Sequence, residues 1–246
     1  MTKVVASIEA RMTSSRLPGK VLKDLAGVPL LTRMLQRLRQ CSTLDAIVLA
    51  TTTNSDDDCL EEWARQEDVL CYRGSEQDVL GRVVEAHKGL SSDVIVELTG
   101  DCPFTDPELV DLGVETFLNN ECSVVTNARI PSYPQGVDVQ VFRLSDLSDV
   151  AKNGDDAAVR EHVSLYFYEN PDIYKTIHLI APRGMQGPGL RLQCDYREDL
   201  EFLNSIYPLL DERYGGAFST RDILATLAKF PELREINGHC IEKPVR

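Results

Sequence analysis

The sequence lacks any uninterrupted apolar run near the roughly 18 residues that a membrane-spanning helix requires. Its first residues, MTKVVASIEAR, hold only a short apolar run before Glu9 and Arg11, without the small-residue cleavage site of a secretory signal. This stretch therefore predicts a first buried strand. We expect neither a membrane segment nor a signal peptide.

The cysteines lack the spacing that metal sites and disulfide frameworks show. Their number is odd, at seven, and no two form a C-x-x-C pair. Several lie inside apolar runs, where cysteine serves as a small core residue. We expect neither a structural zinc site nor disulfides, and the composition favours a cytoplasmic protein.

Three common catalytic motifs are missing as well. The chain has no nucleophile elbow, no H-E-x-x-H and no G-x-G-x-x-G, so a covalent Ser or Cys mechanism has no support. It also has no internal repeat, linker or low-complexity segment. One domain over residues 1–246 is the simplest interpretation.

Positive charge is scarce, because the formal net charge is −13. Such a chain repels nucleic acid and anionic membranes over most of its surface, so neither is an expected partner. One local exception stands out between residues 3 and 23, where a single acid, Glu9, accompanies five basic residues. These are Lys3, Arg11, Arg16, Lys20 and Lys23. A positive island on an acidic protein indicates a small anionic ligand.

Apolar runs alternate with amphipathic segments up to residue 128. This order predicts an α/β fold with a mostly parallel sheet and helices on both faces. After residue 128 the regularity breaks, and the sequence predicts a small inserted antiparallel lobe. There we expect a helix over residues 155–170 and a strand over residues 190–195, followed by closing helices.

The stretch ARMTSSRLPGK, residues 10–20, follows the first strand and resembles a phosphate-binding loop in part. A P-loop reads G-x-x-x-x-G-K-[ST], but Ser14 replaces its first glycine and Val21 its final hydroxyl. Small residues and loop N–H groups suit an anion, and Arg11 and Lys20 supply cations for phosphate oxygens. A surface basic loop is an equally good interpretation from composition alone.

Aspartates follow two predicted strands. Asp101 ends the fourth strand in LTGD, and Asp195 ends a short strand in QCD. Open α/β sheets bind ligands at the carboxyl ends of their strands, and Mg²⁺ favours one or two carboxylates with substrate phosphates. The two aspartates are therefore candidate Mg²⁺ ligands. The alternative interpretations are a strand-end turn for Asp101 and a helix cap for Asp195.

Three residues are candidates for binding a second substrate. Asp138 enters a strand beside the crevice, where it either holds a substrate hydroxyl or fixes the loop. Arg160 is a candidate for a substrate carboxylate, and His162 either adds a hydrogen bond or is an interior histidine.

Six segments together resemble the spore-coat polysaccharide biosynthesis protein F family, in the superfamily of acylneuraminate and 3-deoxy-manno-octulosonate cytidylyltransferases. In chain order they are ARMTSSRLPGK, GSEQDVLGR, LTGDCPFTDP, GVDVQVF, REHVS and CDYREDL. The resemblance as a whole covers residue 4 to about residue 203. The six segments together are far more specific for the family than any one of them alone.

The resemblance implies a Rossmann-like nucleotidyltransferase fold, with a nucleotide-binding half over residues 1–128 and a sugar-binding and dimerisation half over residues 129–246. It implies catalytic roles for Arg11, Lys20 and Asp101, with Mg²⁺ on Asp101 and Asp195. The nucleotide-binding residues that it implies are Ala10, Arg11, Ser14, Ser15, Lys20, Arg73, Gly74, Ser75 and Thr99. It also implies a homodimer.

The reaction so implied is Mg²⁺-dependent transfer of CMP from CTP to an acidic sugar, an ulosonate or nonulosonate, with release of pyrophosphate. Such transfer depends mainly on positioning and charge neutralisation. Two alternatives keep the fold. One is a glycosyltransferase that uses a nucleotide-sugar, and the other is a nucleotide-binding protein without catalytic activity.

Overall fold

The computed structural model describes residues 2–154 and 156–241. The strands are β1 (Val4–Glu9), β2 (Asp24–Leu25), β3 (Val28–Pro29), β4 (Ala46–Thr52), β5 (Leu70–Gly74), β6 (Val94–Thr99), β7 (Val124–Thr126), β8 (Gln140–Arg143) and β9 (Thr176–His178). The helices are α1 (Leu30–Leu38), α2 (Asp58–Gln66), α3 (Val79–Gly89), α4 (Pro107–Leu118), α5 (Leu144–Asn153), α6 (Ala157–Glu161), α7 (Leu165–Glu169), α8 (Arg197–Tyr214) and α9 (Thr220–Lys229). No described helix has the length and apolar character needed to cross a membrane.

Seven strands form one mixed sheet in the order β5-β4-β1-β6-β8-β7-β9. The pairs among β5, β4, β1 and β6 are all parallel, and β8 runs antiparallel to both β6 and β7. A separate antiparallel pair, β2 with β3, lies in the loop after β1. The α/β class with a mostly parallel sheet is confirmed, whereas the antiparallel strand expected after residue 128 joins the main sheet as β8.

Helices cover both faces of this sheet because its central strands are apolar on both sides. In β1, Val4, Ala6 and Ile8 belong to the large core cluster, in which α1 and α8 also take part. Val5 points the other way and packs with Ala86 of α3. The period-two alternation of a strand thus places one residue set on each face.

One expected helix is broken in the structure. Residues 157–161 and 165–169 form the short helices α6 and α7, with His162 in an extended conformation between them. The prediction for residues 155–170 was therefore wrong in its middle, and its first residue, Asp155, lies outside the described residues. Val159, Val163 and Phe167 belong to one core cluster.

The expected strand over residues 190–195 is also wrong. Its backbone makes one isolated bridge, between Arg191 and Gln135, and Cys194 N donates to Asp101 O at 2.8 Å. The neighbours are loops rather than strands, so no ladder continues beyond that bridge. Asp195 therefore reaches the site from an irregular segment.

Candidate active site

The loop between β1 and α1 is held in place by its backbone. Gly19, in the left-handed conformation at φ 68°, donates its N–H to Met12 O at 2.9 Å. Met12 N donates in turn to Asp57 Oδ1 at 2.7 Å, and Asp57 is fully buried after β4. These two bonds close the loop on itself and fasten it to the neighbouring strand end.

Lys20 lies at the end of this loop and joins both predicted metal-binding aspartates. Its Nζ lies 2.5 Å from Asp101 Oδ2 and 2.7 Å from Asp195 Oδ1. The two carboxylates, which are 94 positions apart in the numbering, therefore meet at one ammonium group. The expected convergence of Asp101 and Asp195 is present, with a lysine between them.

Asp195 is the more enclosed of the two aspartates, with 3% of its side chain exposed. Its Oδ1 also lies 2.5 Å from Arg16 Nη2, and its Oδ2 accepts a hydrogen bond from Gln193 at 3.0 Å. It does not cap α8, since Asp199 accepts from the N–H groups at the start of that helix. The cap interpretation of Asp195 is therefore wrong.

Opposite charges fix the ionisation of this cluster. Burial disfavours the Lys20 ammonium, but the adjacent carboxylates of Asp101 and Asp195 outweigh it and raise the pKa of Lys20. Burial likewise opposes the Asp195 carboxylate, yet Lys20 and then Arg16 outweigh it and lower the pKa of Asp195. Both groups are therefore charged near neutral pH.

A cavity of about 280 Å³ opens in front of Lys20. Arg11 lies at its edge with 43% of its side chain exposed, 3.4 Å from Glu76. Seven of the predicted site residues line this cavity: Ala10, Arg11, Ser14, Lys20, Thr99, Asp101 and His162. Ser15 is not among the lining residues. The structure thus places the loop and the end of β6 around one space.

A larger cavity of about 410 Å³ adjoins the first. Asp138 lines it, together with Asn127 and Tyr133. Four residues line both cavities: Glu9, Thr99, Glu161 and His162. The two spaces therefore meet at the carboxyl ends of β1 and β6, beside the Lys20 cluster.

Glu9 and Glu97 form a buried acid pair in the larger cavity, and sequence analysis missed its importance. They are hydrogen-bonded to each other, and Glu97 has 5% of its surface exposed. Burial is the main cause that raises the pKa of Glu9, and burial raises the pKa of Glu97 to about 7. A lone acid inside the apolar run DVIVELT was the signal that could have identified Glu97.

Three of the predicted nucleotide-binding residues, Arg73, Gly74 and Ser75, line neither of these two cavities. Arg73 donates to the backbone oxygens of Thr52 and Asn54, each at 2.8 Å. Gly74 and Ser75 line a third cavity, of about 350 Å³. Arg160 lines that cavity as well, with its Nη1 3.3 Å from Asp78 Oδ2. Arg160 and His162 are thus neighbours in sequence that line different cavities.

Comparisons with known proteins agree with this geometry. A family profile described as Cytidylyltransferase matches residues 5–219. The chain is 34% identical to the spore coat polysaccharide biosynthesis protein SpsF of Bacillus subtilis, over 94% of this chain and 97% of that one. It is 35% identical to an uncharacterized protein of Methanocaldococcus jannaschii, over 99% and 98% of the two chains.

Solved structures share the fold. A cytidylyltransferase from Leptospira borgpetersenii serovar Hardjo-bovis superposes with a TM-score of 0.89 at 33% identity, covering 95% of this chain and 97% of that one. A CMP:2-keto-3-deoxy-manno-octonic acid synthetase complexed with CTP superposes at 0.63 with 20% identity, over 85% and 99% of the chains, and supports the fold alone. The fold and the site define a nucleotidyltransferase. Within that class, the chain belongs to the cytidylyltransferase family.

Proposed function

We propose that the protein transfers a cytidylyl group from CTP to a hydroxyl of a sugar acid and releases pyrophosphate. The observation that carries this proposal is the ion pairing of Lys20 with both Asp101 and Asp195, beside a loop that belongs to the matched family region. A related protein named 3-deoxy-manno-octulosonate cytidylyltransferase, from Chlorobium phaeobacteroides, supports the sugar-acid acceptor at 30% identity over 70% of this chain and 66% of that one.

The smaller cavity suits the triphosphate of CTP. Arg11 presents an exposed guanidinium at its edge, and Lys20 presents an ammonium at its floor. A guanidinium offers a planar fork and an ammonium a point charge to phosphate oxygens. The two cations would hold the phosphates from opposite ends of the loop and stabilise charge on the departing pyrophosphate.

The charge of the cluster favours an additional cation. Lys20 and Arg16 balance the carboxylates of Asp101 and Asp195, so the cluster has little positive charge left for a triphosphate. The described residues hold no group of three or more His, Cys, Asp or Glu side chains placed for a metal ion. Two oxygen-donor carboxylates that meet at one cation nevertheless fit Mg²⁺, which takes one or two carboxylates and substrate phosphates. Asp101 and Asp195 would hold Mg²⁺, which would neutralise phosphate charge when bound.

The acceptor would lie in the larger cavity. Its hydroxyl would reach the α-phosphorus where Thr99 and His162 line both spaces. A new bond from the acceptor oxygen to phosphorus would form as the hydroxyl proton passes to water and the bond to pyrophosphate breaks, with no covalent enzyme intermediate. Asp138 would bind an acceptor hydroxyl, and Arg129, which also lines this cavity, would bind the acceptor carboxylate.

Product analysis tests the proposal. Purified protein with CTP, Mg²⁺ and a panel of sugar acids should release pyrophosphate, and Asp101→Asn should abolish that release, while Asp149→Asn on an exposed helix should not. Release of a nucleoside diphosphate from a nucleotide-sugar would instead identify a glycosyltransferase. CTP binding without turnover on any sugar acid would identify a nucleotide-binding protein without catalytic activity.

The homodimer is part of the same proposal. Five large apolar side chains among the described residues of the second half are exposed in the single chain: Ile130, Ile173, Ile180, Phe230 and Ile241. An interface in that half would cover some of this surface. Sedimentation equilibrium of the purified protein measures the assembly state, and a concentration-independent monomer mass would contradict the dimer.

A further inference from the structure

The larger cavity is acidic where the proposed acceptor has to bind. Glu97 forms part of its buried floor, and Asp138 is partly buried in its wall. Glu9 lies at the junction with the smaller cavity, and Glu161 lies at the exposed rim. The carboxylates of Asp138 and Glu161 would repel an acceptor whose only charge is a carboxylate.

Cations are few on the same walls. Among the described residues that line the larger cavity, Arg129 is the one Lys or Arg, and it is exposed at the rim. Its guanidinium lies 5.7 Å from the centre of the Tyr168 ring. The charge of Arg82 opposes the rise in the pKa of Glu9. The Arg82 side chain donates a hydrogen bond to Ser75 O at 2.6 Å. The cavity thus has its one Arg, Arg129, at a rim that also carries Glu161, and only acids among the charged side chains of its floor.

One oxygen of the acid pair, Glu9 Oε1, has no hydrogen-bond donor among the described residues. Glu97 Oε2 accepts from the Gln140 amide, and Gln140 Oε1 accepts from the Tyr168 hydroxyl. This series of hydrogen bonds fixes the orientation of the Gln140 amide. Glu9 Oε1, by contrast, is buried and accepts a hydrogen bond from none of the described residues. Buried acceptors are seldom left without a donor, so a ligand group that donates there would complete the pair.

We propose that the acceptor is a sugar acid that also carries a free amino group, and that its ammonium binds the Glu9–Glu97 pair. This inference rests on the proposed cytidylyl transfer and names the acceptor class of that same site. An ammonium has three N–H donors and a positive charge, which suit a buried acid pair with an unused oxygen. The acceptor carboxylate would then face Arg129, so that the two ends of a zwitterion have separate partners in the cavity.

Acceptors in matched sets test the inference. Each octulosonate and nonulosonate in the set is prepared in three forms that carry a hydroxyl, a free amino or an N-acetylamino group at the same carbon. Pyrophosphate release with CTP and Mg²⁺ gives kcat/KM for each form. We expect the free amino form of the preferred acid to exceed the other two by about tenfold or more, as a charge-assisted hydrogen bond in a buried site would produce.

Two conservative variants link that preference to the acid pair. Glu97→Gln keeps an acceptor for Gln140, and both it and Glu9→Gln replace one carboxyl group with an amide without a change in size. Each should bring the amino and hydroxyl forms close to parity. Glu115→Gln, on the exposed face of α4, makes the same replacement away from the cavity and should leave the preference unchanged.

The outcomes separate this inference from the proposed function. If calorimetry finds no CTP binding, or if no acid of any form releases pyrophosphate, the proposed function fails and this inference fails with it. If pyrophosphate is released equally well from the hydroxyl or N-acetyl form, cytidylyl transfer stands and the amino acceptor is wrong. An unchanged preference in both Glu9→Gln and Glu97→Gln would also overturn it.

Discussion

Glu97 accepts a hydrogen bond from Gln140, its register partner across the antiparallel pair of β6 and β8. The bond satisfies one oxygen of a carboxyl group that apolar strands and a second acid enclose. Burial is the larger effect, and it raises the pKa of Glu97 to about 7. The strand pairing that builds the sheet thus also supplies a hydrogen-bond donor that opposes this rise in pKa.

Glu97→Gln should change the pH dependence of folding stability. Between pH 4.5 and 7 the unfolded chain loses the proton of Glu97 while the folded chain keeps it, so wild-type stability falls as pH rises through this window. The variant cannot titrate there. Its stability relative to wild type should therefore rise by at most about 3 kcal/mol from pH 4.5 to 8. Urea denaturation at both pH values measures this, with the exposed Glu115→Gln as control. An equal difference at both pH values would contradict it.

His87 should affect the pH dependence of folding stability in the direction opposite to Glu97, so that stability is lost as pH falls. It is fully buried on α3, its Nδ1 lies 3.0 Å from Ser92 Oγ, and burial lowers its pKa to about 4 from 6.5. As pH falls from 6.5 to 4, the unfolded chain gains a proton that the folded chain excludes, so wild-type stability is lost. His87→Gln should remove that loss, whereas exposed His239→Gln should retain it. Thermal denaturation between pH 4 and 7 provides the comparison.

Asp195→Asn should destabilise the fold as well as stop turnover. The substitution leaves Lys20 and Arg16 next to a neutral amide in a largely buried cluster. Loss of one partner from a buried ion pair costs about 3 kcal/mol. Asp149→Asn breaks the exposed pair with Lys152 and should change stability by less than about 0.5 kcal/mol. Urea denaturation of the two variants without ligand gives both values, and equal losses would be evidence against the buried cluster.

Arg37→Met should loosen the contact between α1 and the segment before α9. The Arg37 side chain is 2% exposed and donates to Thr105 O at 2.7 Å and Phe218 O at 2.6 Å. Burial lowers the pKa of Arg37 to about 10, but it remains charged at neutral pH. We expect a loss of about 3 kcal/mol, because the variant leaves buried carbonyls without donors.

Hydrogen exchange distinguishes this role of Arg37 from a general loss of stability. Faster exchange should be concentrated around residues 216–218 under native conditions. Arg39→Met, at a half-exposed position two residues later, should leave that segment protected. Uniform acceleration over the whole chain in Arg37→Met would argue against a local contact.

Arg129 and Arg160 are alternative cations for the acceptor carboxylate, and the structure places them in different cavities. We expect Arg129→Met to raise the acceptor KM about tenfold, since it removes a charged hydrogen-bond partner. Arg160→Met should change the acceptor KM by less than about twofold, because its side chain lies beside Asp78. Steady-state kinetics at saturating CTP checks both. The reverse order of effects would favour the sequence-based choice of Arg160.

The sequence was most informative about the sheet and the loop. Alternating apolar and amphipathic segments located the main-sheet strands and the α-helices of the first 128 residues but not the β2–β3 pair. The spacing within residues 10–20 identified the loop that carries Arg11 and Lys20. These features depend on local periodicity and on short motifs, which one sequence records directly.

The sequence was less informative where distant segments determine the conformation. Residues 157–169 have helical periodicity, but the helix is interrupted at His162, which has an extended conformation. Residues 190–195 alternate like a strand, but no strand lies beside them to continue a ladder. The Glu9–Glu97 pair likewise depends on strand order, because β1 and β6 become neighbours only through the fold.

Lys20 and Asp195 are separated by 175 positions. Chains emerge from the ribosome with the amino terminus first, so the loop at residues 10–20 is synthesised long before its second carboxylate partner. During that interval Asp101 is at most the one carboxylate available to pair with Lys20, and Arg16 lacks the partner that it has in the folded protein. The ion-pair cluster is therefore completed late in synthesis, and a nascent chain that ends before residue 195 carries the loop at residues 10–20 without the finished cluster.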